Sequence, residues 1–209
     1  MKIAVIDYDI GNVRSILSAF ENQGADVFLT RDREEILASD GLVLPGVGAF
    51  SHGIKRLRKY KLVKDIKDFI GTGKPFIGIC LGMQMLFENS EEFGFSPGLG
   101  LIAGSVQKLP VKEKSNEKLP HVSWNELNIL ESKWEGTILD GVIEGSDMYF
   151  VHSFVANPDD RSHILSTTEY SGYKFCSSIK KNNIYGCQFH PEKSGKVGLK
   201  IIKNFIRMC

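Results

Sequence analysis

Two short motifs, far apart in the chain, hold the residue types best suited to chemistry: Gly78-Ile79-Cys80-Leu81-Gly82 and His190-Pro191-Glu192. The first ends an apolar run, Lys74-Pro75-Phe76-Ile77-Gly78-Ile79, and leads into a helix-like stretch, Gly82-Met83-Gln84-Met85-Leu86-Phe87. A cysteine flanked by glycines at such a junction is a nucleophile-elbow pattern. The sharp turn pushes the sulfur out of the backbone, and small neighbours make the turn possible. The helix start beyond it leaves backbone N–H groups beside the sulfur. They favour a thiolate and then a developing oxyanion. The His190 imidazole can take the thiol proton, and Glu192 can hold that ring in one tautomer. Together the three form a Cys-His-Glu site for hydrolysis or acyl transfer. Spacing alone does not bring His190 to the sulfur; that is an expectation about the fold.

Each signal has a plainer reading. Free cysteines are often core residues, but the glycines around Cys80 argue against that role there. Cys176 and Cys187 lack that setting and are expected in the core, and Cys209 is expected to be inert. The remaining histidines (His52, His121, His152 and His163) are scattered without metal-ligand spacing, so no zinc site is expected. Pro45-Gly46-Val47-Gly48 fits a tight turn, or a loop whose bare backbone at Gly48 turns an N–H toward an oxyanion. Gly11-Asn12 fits a helix N-cap. Trp124, within Pro120-His121-Val122-Ser123-Trp124-Asn125, fits a core aromatic or an exposed interface anchor equally. The basic stretch Lys55 to Lys67 reads as a solvated helix face.

These residues need a scaffold. Lys2–Asp7, Ala25–Thr30, Gly41–Leu44 and Pro75–Ile79 read as strands. Asn12–Asn22 has apolar residues at helical spacing (Val13, Ile16, Leu17, Phe20), and Ile54–Phe69 reads as a helix. Strands alternating with helices predict a parallel sheet covered on both faces. After Ser90 the pattern changes. Gly94–Gly100 is a loop, and Lys112–Lys118 is a charged turn. Strand-like segments run over 101–109, 148–156, 164–169, 173–179 and 184–189, and a helix over 196–208 closes the chain. The reading is a single α/β domain spanning 1–209, with a mostly parallel central sheet, flanking helices and additional strands in the second half. Cys80 and the 45–48 loop then sit at the carboxyl ends of strands, where open α/β sheets bind ligands.

The chain has 209 residues, of which 42% are hydrophobic. A domain of that size buries about 70% of its unfolded surface without disulfide or metal staples. It carries 26 basic and 25 acidic residues, a net charge of +1. That balance gives no electrostatic reason to expect nucleic acid or an acidic membrane as partner. The apolar N-terminal run is too short for a signal peptide or a membrane span. Four cysteines without CxxC spacing suit reduced thiols in a cytoplasmic protein.

Gly78–Gln84 and Gln188-Phe189-His190-Pro191-Glu192-Lys193-Ser194 are similar to the motifs of class I, triad-type glutamine amidotransferases. Within that class, four segments resemble the glutaminase subunits of imidazole glycerol phosphate synthases: Pro45–Gly48, Pro120–Asn125, Tyr149–Ser153 and Thr167–Tyr170. The resemblance covers essentially the whole chain. It implies a thiolate attack by Cys80 on the side-chain amide of glutamine, His190 as proton carrier and Glu192 as its support. It places the oxyanion on the backbone N–H of Leu81 and on the Gly48 peptide. It gives Gln84 and Glu92 the α-carboxylate and α-amino ends of glutamine, with main chain at Ser153 and Phe154 completing the pocket. No cofactor is implied. The implied partner is a (β/α)8-barrel cyclase subunit that receives the ammonia in histidine biosynthesis, with Asn12, Trp124 and Tyr149 at the interface. The implied glutaminase is slow alone and rises with the liganded partner through the 45–48 loop.

Three positions depart from the subfamily pattern: Ser123 stands in place of a usual Gly, Phe154 of a usual Tyr, and Asp9 of a frequent Gly. Ser123 and Asp9 are expected at the docking face. They leave open a paralogous glutaminase that feeds another synthase, such as one amidinating a surface-glycan sugar. A cysteine peptidase and a catalytically dead scaffold are weaker alternatives. Gln84 and the Pro-Gly-Val-Gly loop oppose the first, and the intact triad opposes the second.

Overall fold

The computed structural model describes residues 1–11, 13–111, 118–130 and 133–209. Asn12 and most of the expected 112–118 turn lie outside the described residues. The first half runs β1 (Lys2–Ile6), α1 (Val13–Glu21), β2 (Asp26–Thr30), α2 (Arg33–Ala38), β3 (Gly41–Leu44), α3 (Phe50–Lys59), α4 (Leu62–Gly71), β4 (Phe76–Ile79) and α5 (Leu81–Gln84). Then come β5 (Phe87–Ser90), β6 (Ser96–Pro97), β7 (Ile102–Lys108), β8 (His121–Glu126), β9 (Asp147–His152) and β10 (Phe154–Pro158). The chain ends with β11 (Ile164–Tyr170), β12 (Tyr173–Lys181), β13 (Ile184–Cys187) and α6 (Gly195–Met208).

The central sheet has seven strands in the order β11-β12-β13-β4-β3-β1-β2. From β13 to β2 all neighbours pair in parallel, and β11 and β12 extend the sheet antiparallel. Every residue of β3, β4 and β13 is buried, as expected of parallel strands covered on both faces. Alternation along each strand divides the core in two. Ile3 and Val5 of β1 pack with Val43, Ile77 and Ile79 against Phe20 of α1 and Ile202 and Phe205 of α6. Ala4 and Ile6 pack with Leu42, Leu44 and Phe76 against Ile36, Leu57, Ile66 and Phe69 of α2–α4. The remaining strands form a four-stranded sheet, β10-β7-β5-β6, and a two-stranded ribbon, β8–β9. The expected α/β architecture with added later strands is therefore what forms. No helix among the described residues is long and apolar enough to cross a membrane.

Several local expectations change. The loop expected over 94–100 holds the short strand β6, and β8 lies in a stretch read without a strand. The helix expected over 54–69 is two helices, because Lys61 adopts a left-handed backbone (φ 60°) that ends the run after Tyr60. The helix expected from Gly82 ends at Gln84, and Phe87 enters β5 instead. The segment 148–156 is two strands in different sheets, split at Ser153. Helix α2, where Asp32 caps the N–H groups of Glu34 and Glu35, lies in a stretch read without a helix.

The sheet positions the elbow by close approach of bare backbone. A Cβ added at Gly82 would overlap the Leu44 carbonyl oxygen at the end of β3. One added at Gly78 would meet Gly82 and Met83 backbone atoms at 2.7 Å. Gly82→Ala is expected to destabilise the protein by about 3 kcal/mol or more, since rigid backbone must shift. Gly71→Ala, at an open position with nothing within 4 Å, should be neutral or up to about 1 kcal/mol stabilising. Chemical denaturation of the two variants checks the contrast.

Candidate active site

Cys80 joins β4 to α5 with φ 53° and ψ −110°, outside the regions a side chain ordinarily adopts. Its N–H donates to the Cys187 carbonyl of β13 at 2.7 Å, so the neighbouring strand holds the turn. The sulfur lies 3.7 Å from Gln188 Nε2 and 3.9 Å from the Val151 carbonyl oxygen. Cys176 and Cys187 are buried in the core, as expected, and burial pushes both thiols up. The Cys209 thiol is pushed up to about 12, mainly by burial.

His190 follows β13 and is almost fully buried. Its N–H donates to the Tyr149 carbonyl at 3.0 Å, and its own carbonyl accepts from Ser194 Oγ at 2.6 Å. Its Nδ1 lies 2.8 Å from Glu192 Oε1, and the Glu192 side chain is fully buried. Nδ1 therefore carries a proton, and Nε2, buried without a hydrogen-bond partner, is the ring atom left to interact with Cys80 in the same cleft. Burial alone would lower the ring's pKa; interaction with the Cys80 thiol and the Glu192 carboxylate outweighs it and raises the ring to about 10. An imidazolium beside Cys80 favours the thiolate. The fold thus brings the two distant motifs into one line of groups.

A cleft of about 530 Å³ opens over this line. Gly48, Leu81, Gln84 and Glu92 border it, and so do Ser153 and Phe154. Every residue expected at the oxyanion or substrate positions therefore reaches one cavity. Gly48 has φ +93°, a conformation that favours glycine. The loop before it is fixed by Tyr8, whose buried hydroxyl donates to the Pro45 carbonyl at 2.6 Å. Burial holds the Tyr8 phenol well above its ordinary pKa. Glu92 Oε2 accepts from the Phe50 N–H at 2.6 Å and so caps α3, whose own N-cap, Ala49, offers no side-chain bond. Gln84 Nε2 donates to the Phe154 carbonyl at 2.9 Å and to Gln188 Oε1 at 3.0 Å. Both amide hydrogens are spent, and Oε1 remains as an acceptor.

Trp124 and Tyr149 lie outside the cleft. They are cross-strand partners on the ribbon, with ring centroids 5.9 Å apart. Trp124 is 53% exposed, which resolves its two readings in favour of an exposed aromatic. Ser123 points the other way, with Oγ 2.9 Å from His121 Nε2. Asp9 has φ 60° and is bound by Arg31 at 2.8 Å, by Arg56 and by the Tyr60 hydroxyl. Both departures are thus engaged within the chain.

Sequence reading missed the roles of Tyr8, Gln188 and the His121–His152 pair. These two histidines stand 31 positions apart yet lie 3.0 Å from each other. Period-two alternation in the two ribbon strands was the available signal, because it places both on the inner face.

Residues 4–209 match the family model described as "Glutamine amidotransferase class-I". The chain is 47% identical to "Imidazole glycerol phosphate synthase subunit HisH 1" of Legionella pneumophila (strain Lens), covering 99% of each. It is 45% identical to the HisH subunit of Bacillus cereus (strain G9842), covering 97% of this chain and 93% of that protein. In fold it is similar to a solved structure titled "Structure of PurLQS from Thermotoga maritima", with TM-score 0.72 and 20% identity over 99% of this chain and 97% of that one. With its elbow cysteine and His190 at one cleft and Glu192 buried behind the ring, the chain belongs to the class-I glutamine amidotransferases and, within them, to the HisH subunits of imidazole glycerol phosphate synthase.

Proposed function

We propose that this chain is the glutaminase subunit of an imidazole glycerol phosphate synthase in histidine biosynthesis, acting in the cytoplasm through Cys80, His190 and Glu192. The observation that carries the reading is the buried His190, held by Glu192 and sharing one cleft with a cysteine on a strained elbow. The Cys80 thiolate adds to the side-chain amide carbon of glutamine. His190 then protonates the leaving nitrogen, the C–N bond breaks, and ammonia departs from a glutamyl thioester. Water attacks the thioester with His190 taking its proton, the C–S bond breaks, glutamate is released, and the Cys80 thiolate beside protonated His190 is restored. The Leu81 N–H and the Gly48 peptide take the oxyanion, where one donor is typically worth about 3–4 kcal/mol. The resemblance implies the α-carboxylate for Gln84, but both amide hydrogens are engaged and only Oε1 is offered, so Gln84 suits an N–H of the substrate instead. Glu92 suits the α-ammonium, and main-chain N–H groups at Ser153 and Phe154 suit the α-carboxylate.

Free ammonia protonates in water, so the reading includes a heterodimer with a (β/α)8-barrel cyclase subunit that receives it. That subunit makes imidazole glycerol phosphate and aminoimidazole carboxamide ribotide. The outer face of the β8–β9 ribbon is the docking surface we assign. It exposes Val122 and Trp124 beside Tyr149, and an exposed aromatic is the usual anchor of such a patch. Asn12, the other interface residue expected from the sequence, stays part of this proposal.

Glutamate release by the purified chain is tested alone, with the cyclase subunit of the same organism, and with that subunit plus its nucleotide ligand. Strong stimulation only in the last mixture is expected. The full coupled rate from the isolated chain would refute gating by the partner. No stimulation, from a Cys80 that still reacts with a glutamine-analogue electrophile, would assign the ammonia to a different synthase. Cys80→Ala should abolish release, and Glu192→Gln should lower kcat by about 10³–10⁴. Trp124→Ala should weaken association with the cyclase by about 30-fold, a loss of about 2 kcal/mol, in a titration of the two subunits. The His190 ring should titrate well above the ordinary 6.5 by NMR. Glu192→Gln removes a group that stabilises the imidazolium, so it should move that midpoint down. An unmoved midpoint would remove Glu192 from its supporting role.

A further inference from the structure

We infer that His152, with His121 behind it, is a positioning residue for the glutamine pocket: the pair fixes the Phe154 carbonyl and, through it, the side chain of Gln84. The choice of ligand rests on the glutaminase reading above; the geometry does not.

Phe154 follows Ser153, where the chain leaves the ribbon and enters the second sheet. Its carbonyl receives two side-chain donors, Gln84 Nε2 at 2.9 Å and His152 Nδ1 at 2.9 Å. A carbonyl oxygen only accepts, so His152 Nδ1 must carry a proton. Burial and the neighbouring His121 push the His152 ring down to about 3, so the ring is neutral near pH 7. Its Nε2 is then a bare acceptor, and His121 Nδ1, 3.0 Å away, must donate to it. The bond to the Phe154 carbonyl therefore selects one tautomer at His152, and that tautomer puts a proton on His121 Nδ1.

The far end is equally confined. His121 is fully buried and stacks on Tyr170, with centroids 3.9 Å apart, and on Phe150 at 5.2 Å. Its Nε2 lies 2.9 Å from Ser123 Oγ and 2.7 Å from Asn125 Oδ1. Asn125 in turn donates to the Glu169 carbonyl of β11 at 3.2 Å. The line thus runs from the central sheet, through the inner face of β8, to a carbonyl at the cleft. His152 itself borders the cleft. On the other side of that carbonyl, Gln84 continues to Gln188, whose Nε2 lies 3.7 Å from Cys80 Sγ. With both hydrogens fixed, the Gln84 amide presents its oxygen in one orientation. Loss of His152 frees that orientation and acts on substrate binding, while the Cys80–His190–Glu192 line stays intact.

The first test uses the unaltered full chain. Long-range proton–nitrogen NMR at pH 7 should find His152 neutral with its hydrogen on Nδ1; the Nε2–H tautomer or a protonated ring would overturn the inference. The second test measures glutamine hydrolysis in the complex with the liganded cyclase. His152→Leu should raise KM for glutamine at least about tenfold, as expected for a lost buried hydrogen bond, with kcat within about threefold. His152→Asn, whose Nδ2 can replace the lost donor, should recover most of that loss. An unchanged KM in folded His152→Leu, or a fall in kcat alone, would also overturn it. Should His152→Leu fail to fold, the tautomer and the KM of His152→Asn decide. Should the unaltered complex release no glutamate, the glutaminase reading falls, while the tautomer still decides the role of the pair.

Discussion

A backbone at φ 53° and ψ −110° costs a residue with a side chain about 1–3 kcal/mol. Cys80 keeps it because three strands over-determine the turn. The Cys187 carbonyl of β13 takes its N–H, β4 delivers it, and Gly82 sits against the last carbonyl of β3 with no room for a Cβ. Helix α5 can therefore begin only where it does, which sets the sulfur above the sheet edge. Gly46 of the neighbouring loop is wedged in the same place, where an added Cβ would meet Tyr8 Oη, Leu81 Cβ and Gly82 N at 2.8–2.9 Å. The 45–48 loop and the elbow are thus parts of one packed junction.

From that junction the other functional groups follow in order of distance. β13 is the parallel neighbour of β4, so the residues just after it, Gln188 to His190, arrive beside Cys80. Pro191 opens a short 3-10 turn that returns Glu192 to His190. Strand β9 then touches two members of the candidate triad: the Val151 carbonyl faces Cys80 Sγ, and the Tyr149 carbonyl holds the His190 N–H. The strand that presents Tyr149 outward therefore also supports the proposed proton carrier, and a partner seated on the ribbon would rest one residue from the active groups.

The ribbon divides its roles by side-chain parity. Val122 and Trp124 on β8 and Tyr149 and Val151 on β9 share one face, while His121, Ser123, Phe150 and His152 share the other. The outer face is apolar and accessible; the inner face carries a polar line sealed among aromatics. The family resemblance implies a place for Ser123 at the docking face. In the fold it belongs to the inner face, where its hydroxyl meets His121.

The sequence by itself determined what short-range rules govern. Continuous apolar runs identified β1, β3 and β4 as buried parallel strands, and the glycines around Cys80 marked the elbow, because backbone approach and turn geometry are written in adjacent residues. The residue types of the candidate triad were legible for the same reason. Only the tertiary structure decided which distant groups meet. His190 reaches Cys80 because β13 pairs with β4, and His121 reaches His152 because β8 pairs with β9. The break at Lys61, the split at Ser153 and the early end of α5 were likewise decided by packing against neighbouring elements, which no local propensity encodes. Strand pairing is a long-range choice made by the whole core, so it set the orientation of Ser123, the partners of Gln84 and the shape of the cleft.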